Sequence, residues 1–147
     1  MKYFVFLLII SLFSCQSTLS KMEKTPMEFE VVNHYPYDLI KNQFKIIKTQ
    51  AEMDSVFAII HSKTIGNRFS PILTVSDEET FVIFKTKLKN HNDVEIKNVG
   101  FGGNVLEINL QEIDNPQIAK SSRISPNILL KLPQKVSIEN LVINPIK

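Results

Sequence analysis

Val94-Glu95-Ile96-Lys97-Asn98-Val99-Gly100-Phe101-Gly102-Gly103-Asn104-Val105-Leu106-Glu107-Ile108-Asn109-Leu110-Gln111-Glu112-Ile113 is the stretch that decides the fold class. Val94, Ile96 and Asn98 alternate with Glu95, Lys97 and Val99, the two-residue period of a strand with one mostly wet face. Gly102-Gly103-Asn104 supplies residues suited to a tight reversal. Leu106, Ile108 and Leu110 then share one face of a second strand. Val94 to Ile113 is therefore expected to be an antiparallel hairpin.

More strands lie on either side. Thr80 to Lys85 is rich in β-branched and aromatic residues and apolar on both faces, as an interior strand should be. Asn90-His91-Asn92-Asp93, dense in turn formers, separates it from the hairpin. Lys85, Lys87 and Lys89 alternate at strand spacing and read as a solvated strand face or strand end. Ile128 to Leu132 and Leu141 to Asn144 supply two final strands, separated by Pro133 and a short loop. From Ile72 onward the chain reads as β.

The clearest helix lies upstream. Thr49 and Glu52 have the spacing of a capping box, and Met53, Val56, Phe57 and Ile60 form one apolar stripe. This helix is expected to end near His61 or Ser62. Residues 63–71 follow as a polar connection with a turn at Gly66-Asn67. Phe44 to Lys48 predicts a short strand, with Phe44 and Ile46 on one face and Ile47 on the other. Met27, Phe29 and Val31 alternate with Glu28 and Glu30 as a half-buried strand. His34-Tyr35-Pro36-Tyr37-Asp38 is expected to be a loop, because residues before proline avoid helical geometry. No internal repeat is present. The fold class that results is α+β: a mostly antiparallel β-sheet with one packed amphipathic helix.

The beginning of the chain speaks of location. Lys2, the apolar run Tyr3 to Phe13, and the small residue Ser14 before Cys15 follow the order of an export signal. With cysteine directly after the small residue, the stretch resembles the lipobox of bacterial lipoproteins. In that family a signal peptidase cuts before the cysteine, whose thiol carries diacylglycerol. Phe13 is bulkier than is usual at its position. An uncleaved anchor and an ordinary secretory signal remain alternatives, although a spanning helix needs about 20 apolar residues. The expected division is residues 1–14 as signal peptide, 15–25 as lipidated tether and 26–147 as a single α+β domain. Two or three acyl chains hold a protein at a bilayer stably. Gln16, rather than an aspartate, after Cys15 implies sorting to the outer membrane of the envelope, by the rule known for lipoproteins.

Composition narrows the function classes. Lys and Arg total 17 against 15 Asp and Glu, spread along the chain, so no nucleic-acid partner is expected. The single cysteine, once acylated, leaves no thiol for a disulfide, so stability must come from a packed core. Without Trp and with only 4 Gly, neither a carbohydrate platform nor a glycine-rich phosphate cradle is evident.

No catalytic set, metal site or cofactor is expected. His34, His61 and His91 stand apart in sequence, and a zinc site needs three or four converging ligands. His91 beside Asp93 suggests at most a local pair. Asp77-Glu78-Glu79 reads as a solvated turn, since it supplies only part of a calcium shell. Ser121, Ser122 and Ser125 lack a nucleophile elbow. Tyr35 and Tyr37, with Arg68 and Phe69 on the next loop, are candidate partner-binding residues. The alternative for the tyrosines is to fold back and cover the sheet edge.

Asp77 to Pro133 also carries a family resemblance. The strand at Thr80 to Lys85, the hairpin with Leu106-Glu107-Ile108-Asn109-Leu110, and Ser125-Pro126-Asn127-Ile128-Leu129-Leu130-Lys131-Leu132-Pro133 follow the helix in an order that resembles the C-terminal domain of PrcB-type protease-complex subunits. The resemblance extends over Phe44 to Asn144. The Gly-Gly-Tyr run that commonly opens the central hairpin of that family is replaced by His91-Asn92-Asp93, so no functional residue is carried over. The family consists of exported bacterial proteins, and its first described member stabilises a secreted protease by binding it. The first expectation is therefore a non-enzymatic envelope lipoprotein that binds another protein, such as an exported protease. A carrier of a small apolar ligand, with a pocket between helix and sheet, is the second. A hydrolase assembled from loops is the third.

Overall fold

The computed structural model of the chain describes residues 23–64, 70–89, 91–117 and 126–146. The leader, Cys15 and most of the tether lie outside the described residues. So do the Gly66-Asn67 turn, Arg68, Phe69 and the serines at 121, 122 and 125. The elements run β1 (Thr25–Met27), β2 (Glu30–Tyr35), β3 (Phe44–Ile47), α1 (Gln50–Lys63), β4 (Thr80–Lys85), β5 (Asp93–Gly102), β6 (Val105–Ile113), β7 (Asn127–Leu132) and β8 (Asn140–Ile146).

The mostly antiparallel strands and the helix expected from the sequence are present, but the single sheet is corrected to two. One sheet has the order β1-β5-β6-β8, the other β2-β7-β4-β3. Their facing sides enclose the larger core, in which Val82, Phe84, Ile128, Leu130 and Leu132 meet Val94, Val99, Leu106, Ile108 and Leu110. The outer side of the β2-β7-β4-β3 sheet presents Phe81, Ile83 and Leu129 to α1. The layers are thus helix, sheet, sheet.

The hairpin forms, but a bulge between Ile96 and Asn98 corrects its expected alternation: Val99, not Asn98, shares the core face with Val94 and Ile96. Gly102 pairs with Val105, leaving Gly103 (φ 57°) and Asn104 (φ 61°) as a two-residue turn. Two consecutive left-handed residues make the reversal that matches strand twist, and Gly and Asn tolerate that region best. The turn has a second role. The Asn104 carbonyl accepts hydrogen bonds from the amides of Glu139 (2.8 Å) and Asn140 (3.2 Å), which starts β8 beside β6. β8 runs parallel to β6, and the connection between them passes through β7 in the other sheet. Asn98, Asn109 and Asn144 join β5, β6 and β8 across the outer face, with amide-to-carbonyl distances of 2.6 and 3.0 Å.

Two boundaries differ from expectation. Met27, Phe29 and Val31 do line one core, but from different sheets, because the chain crosses at Glu28 and Phe29. His34 and Tyr35, expected in a loop, end β2, which a bulge between Val31 and Asn33 re-aims.

α1 starts at the predicted cap. The Thr49 hydroxyl accepts from the Glu52 amide at 3.2 Å, and the Glu52 carboxylate accepts from the Lys48 amide at 2.8 Å. Such a cap contributes about 1 kcal/mol. The stripe contributes more: Met53, Val56, Phe57 and Ile60 are all buried, each adding about 1.5–3 kcal/mol as an upper bound. Packing, not capping, holds the helix. The stripe packs against the sheet, and a cavity of about 410 Å³ flanks it between Ser55, Val56 and Ile59 of α1 and Phe44 and Lys45 of β3, in the helix-to-sheet position where the carrier reading expects one. Phe57→Ala should therefore cost about 3–5 kcal/mol, read as a lowered urea midpoint with unchanged slope.

Candidate functional site

The most connected polar cluster sits where β2 of one sheet meets the start of β5 in the other. His34 Nδ1 lies 2.7 Å from Asp93 Oδ1. Asp93 also accepts from the Val94 amide at 2.8 Å and from the Asn115 side-chain amide at 2.9 Å. Asn115 is fixed in turn by Asn92: its amide donates to Asn92 Oδ1 at 2.7 Å, and Asn92 Nδ2 donates to the Asn115 carbonyl at 2.9 Å. The Asp93 side chain is 7% exposed and that of His34 is 23% exposed. Burial pushes the Asp93 carboxyl up, but the bonds from Asn115, His34 and Val94 outweigh it and hold the group below the ordinary carboxylate value. The result is an ionised clasp between the sheets.

The local His91–Asp93 pair suggested by the sequence is corrected here. Asp93 is taken by His34, and His91 Nδ1 instead lies 3.3 Å from Asp114 Oδ1. That approach satisfies an ion pair in distance but not a hydrogen bond, and among the described residues the nitrogen has no hydrogen-bond partner. His61 packs edge-on against Phe57 and places Nε2 2.8 Å from the Ser70 carbonyl. His34 and His91 thus face separate carboxylates, and His61 has a backbone partner.

Tyr35 is packed into the helix-side core and Tyr37 lies partly buried against it. Tyr35 is 4% exposed, and its ring lies 6.0 Å from that of Tyr37, which is half-buried near the end of α1. Burial raises both phenol pKa values; bonds from Asn33 and from Thr64 respectively act in the opposite sense. The structure does not bring Tyr35 to the surface as a partner-binding ring. Asp77 and Glu78 occupy an exposed turn, and Glu79 pairs with Lys131 at 2.7 Å.

Two surface features were not legible in the sequence. The first is the outer edge of β8. This seven-residue strand ends its sheet, carries no charged side chain, and leaves Val142 39% and Ile146 41% exposed. The other edges are blunted. β1 has three residues including Pro26, β2 is bulged and begins with Glu30, and β3 has four residues including Lys45. The second is a groove of about 370 Å³ near the inner side of β8, floored by Leu110, Leu141 and Ile143 and bordered by Lys85, Lys87 and Lys89.

Comparison with known proteins finds no matching family model, no matching curated protein and no matching solved structure.

Because the Asp93 carboxyl is held below its ordinary value, the clasp contributes fully at neutral pH and is lost as the pH falls through that lowered value. Asp93→Asn should lower stability at neutral pH by roughly 2 kcal/mol. The gap to the native protein should narrow below about pH 4 in denaturant titrations. A gap that widened on acidification would remove the clasp.

Proposed function

We propose that this protein is a lipid-anchored, non-enzymatic binding module of the bacterial envelope, taking an extended segment of a partner protein along β8. Among the described residues no strand pairs with the outer edge of β8, and this is the observation that carries the reading. An edge strand exposes a row of backbone donors and acceptors, and natural sheets usually shield them with charge, proline or a bulge. β8 has only Pro145 near its end, and offers two exposed apolar side chains beside the open backbone. Strand addition uses such an edge, with backbone bonds for affinity and alternate side chains for selectivity.

Acylation at Cys15 would hold the domain near the outer membrane on a short tether, which raises its local concentration near envelope partners. The resemblance to PrcB-type subunits favours an exported protease as the partner.

The test is cross-linking and affinity purification of the full chain from native envelopes, beside a Val142→Lys variant. Charge on the edge strand should leave folding intact and lower recovery of the partner about tenfold, since a lysine on an edge strand is the device by which natural sheets block strand addition. Equal recovery by both proteins would end the strand-addition reading. Cys15→Ser should move the chain out of the membrane fraction, and mass spectrometry of the native protein should find acyl groups on Cys15.

A further inference from the structure

We infer that the groove beside β8 is a binding site for a free fatty acid, with its carboxylate on the lysine rim and its single chain along the apolar floor. The groove lies near the side of the sandwich where β3 and β8 end their sheets. Leu110 is buried and Leu141 and Ile143 are half-buried, so the floor is apolar surface that the fold leaves partly open to water. Closing it with a hydrocarbon chain would remove that surface from water.

The rim selects the head group. Lys85 is engaged with Asp38 at 3.0 Å, and Gln43 donates to the Lys85 carbonyl at 2.7 Å, which steadies the wall. Glu112 is the one carboxylate among the groove residues, and it accepts from the Lys89 amide at 3.0 Å. Lys87 and Lys89 are exposed, and neither ammonium is in an ion pair among the described residues. With Lys85 held by Asp38, the ammonium groups of Lys87 and Lys89 against the Glu112 carboxylate favour an anion. A volume of about 370 Å³ stands at the low end of ligand pockets, which suits one acyl chain better than two. Apolar floor, cationic rim and small volume together specify a single-chain carboxylate.

This inference is independent of strand addition. The groove uses the inward residues Leu141 and Ile143, whereas strand addition uses the outer edge at Val142.

The experiment uses the full chain in its native envelope and a diazirine-bearing dodecanoic acid, with cross-linked peptides mapped by mass spectrometry. Label is expected on the peptides holding Leu110 and Leu141 to Ile146. Lys87→Glu combined with Lys89→Glu, both at exposed positions, should keep the native melting temperature and lower labelling about tenfold, the effect of losing two surface ion pairs. The matching diazirine dodecylamine should label the groove no better than that variant does. Label spread over the surface, undiminished label in the charge-reversed variant, or equal labelling by the amine would each overturn the site. Val142→Lys should leave labelling unchanged, so failure of the groove and failure of strand addition are read separately.

Discussion

Two adjacent strands that are apolar on both faces set the terms for everything else in this protein. β4 and β7 pair through Thr80 to Lys85 and Asn127 to Leu132, and their side chains alternate between two dry environments. A strand pair of this kind is stable only if both sides are covered. One helix with a four-residue stripe covers one side. The other is covered by the β1-β5-β6-β8 sheet, and the chain must cross between sheets several times to place it there. The crossing at Glu28 and Phe29, and the passage from β6 through β7 to β8, are consequences of that demand.

Covering both sides buries polar groups where the chain turns, and the fold pairs them. Thr80 Oγ1 accepts from the Val136 amide and donates to the Gln134 carbonyl, which ties the segment after β7 to the start of β4. Thr86 Oγ1 donates to the Pro126 carbonyl, and Asn127 Oδ1 accepts from the Leu39 amide. The Asp93 cluster belongs to the same group: a buried carboxylate with several donors, joining two layers that apolar contact alone would hold less specifically. A buried unpaired polar group costs about 1–3 kcal/mol, so these pairings decide which crossings are tolerable.

Much of the candidate chemistry was visible only as isolated letters. His34 and Asp93 are 59 residues apart and meet because β2 and β5 face each other across the core. Sequence proximity pointed to His91 as the partner of Asp93, but His91 lies in the bend before β5 and faces Asp114, while the fold brings His34 to Asp93 from the other sheet. Lys85 ends β4 and Lys87 and Lys89 follow it outside the strand, and the apolar floor beside them comes from β6 and β8. Tyr35 was one of two open alternatives until its ring was found inside the helix layer. The bare edge of β8 was hidden because strand order, not composition, determines which strand is last in a sheet.

Local physics settled the elements. The paired strands of the hairpin, the Gly103-Asn104 reversal, the Thr49 cap and the stripe at Met53, Val56, Phe57 and Ile60 are all short-range patterns that appear where the sequence placed them, whereas the bulge that turns Val99 rather than Asn98 into the core was not in the alternation. What the sequence left open was how those elements are stacked. Met27, Phe29 and Val31 illustrate the reason: their alternation identifies a face toward the core, but a face toward the core is compatible with one sheet or with two opposed ones. Only the tertiary arrangement, driven by the need to cover β4 and β7 on both sides, chose the second sheet and with it the clasp, the groove and the open edge.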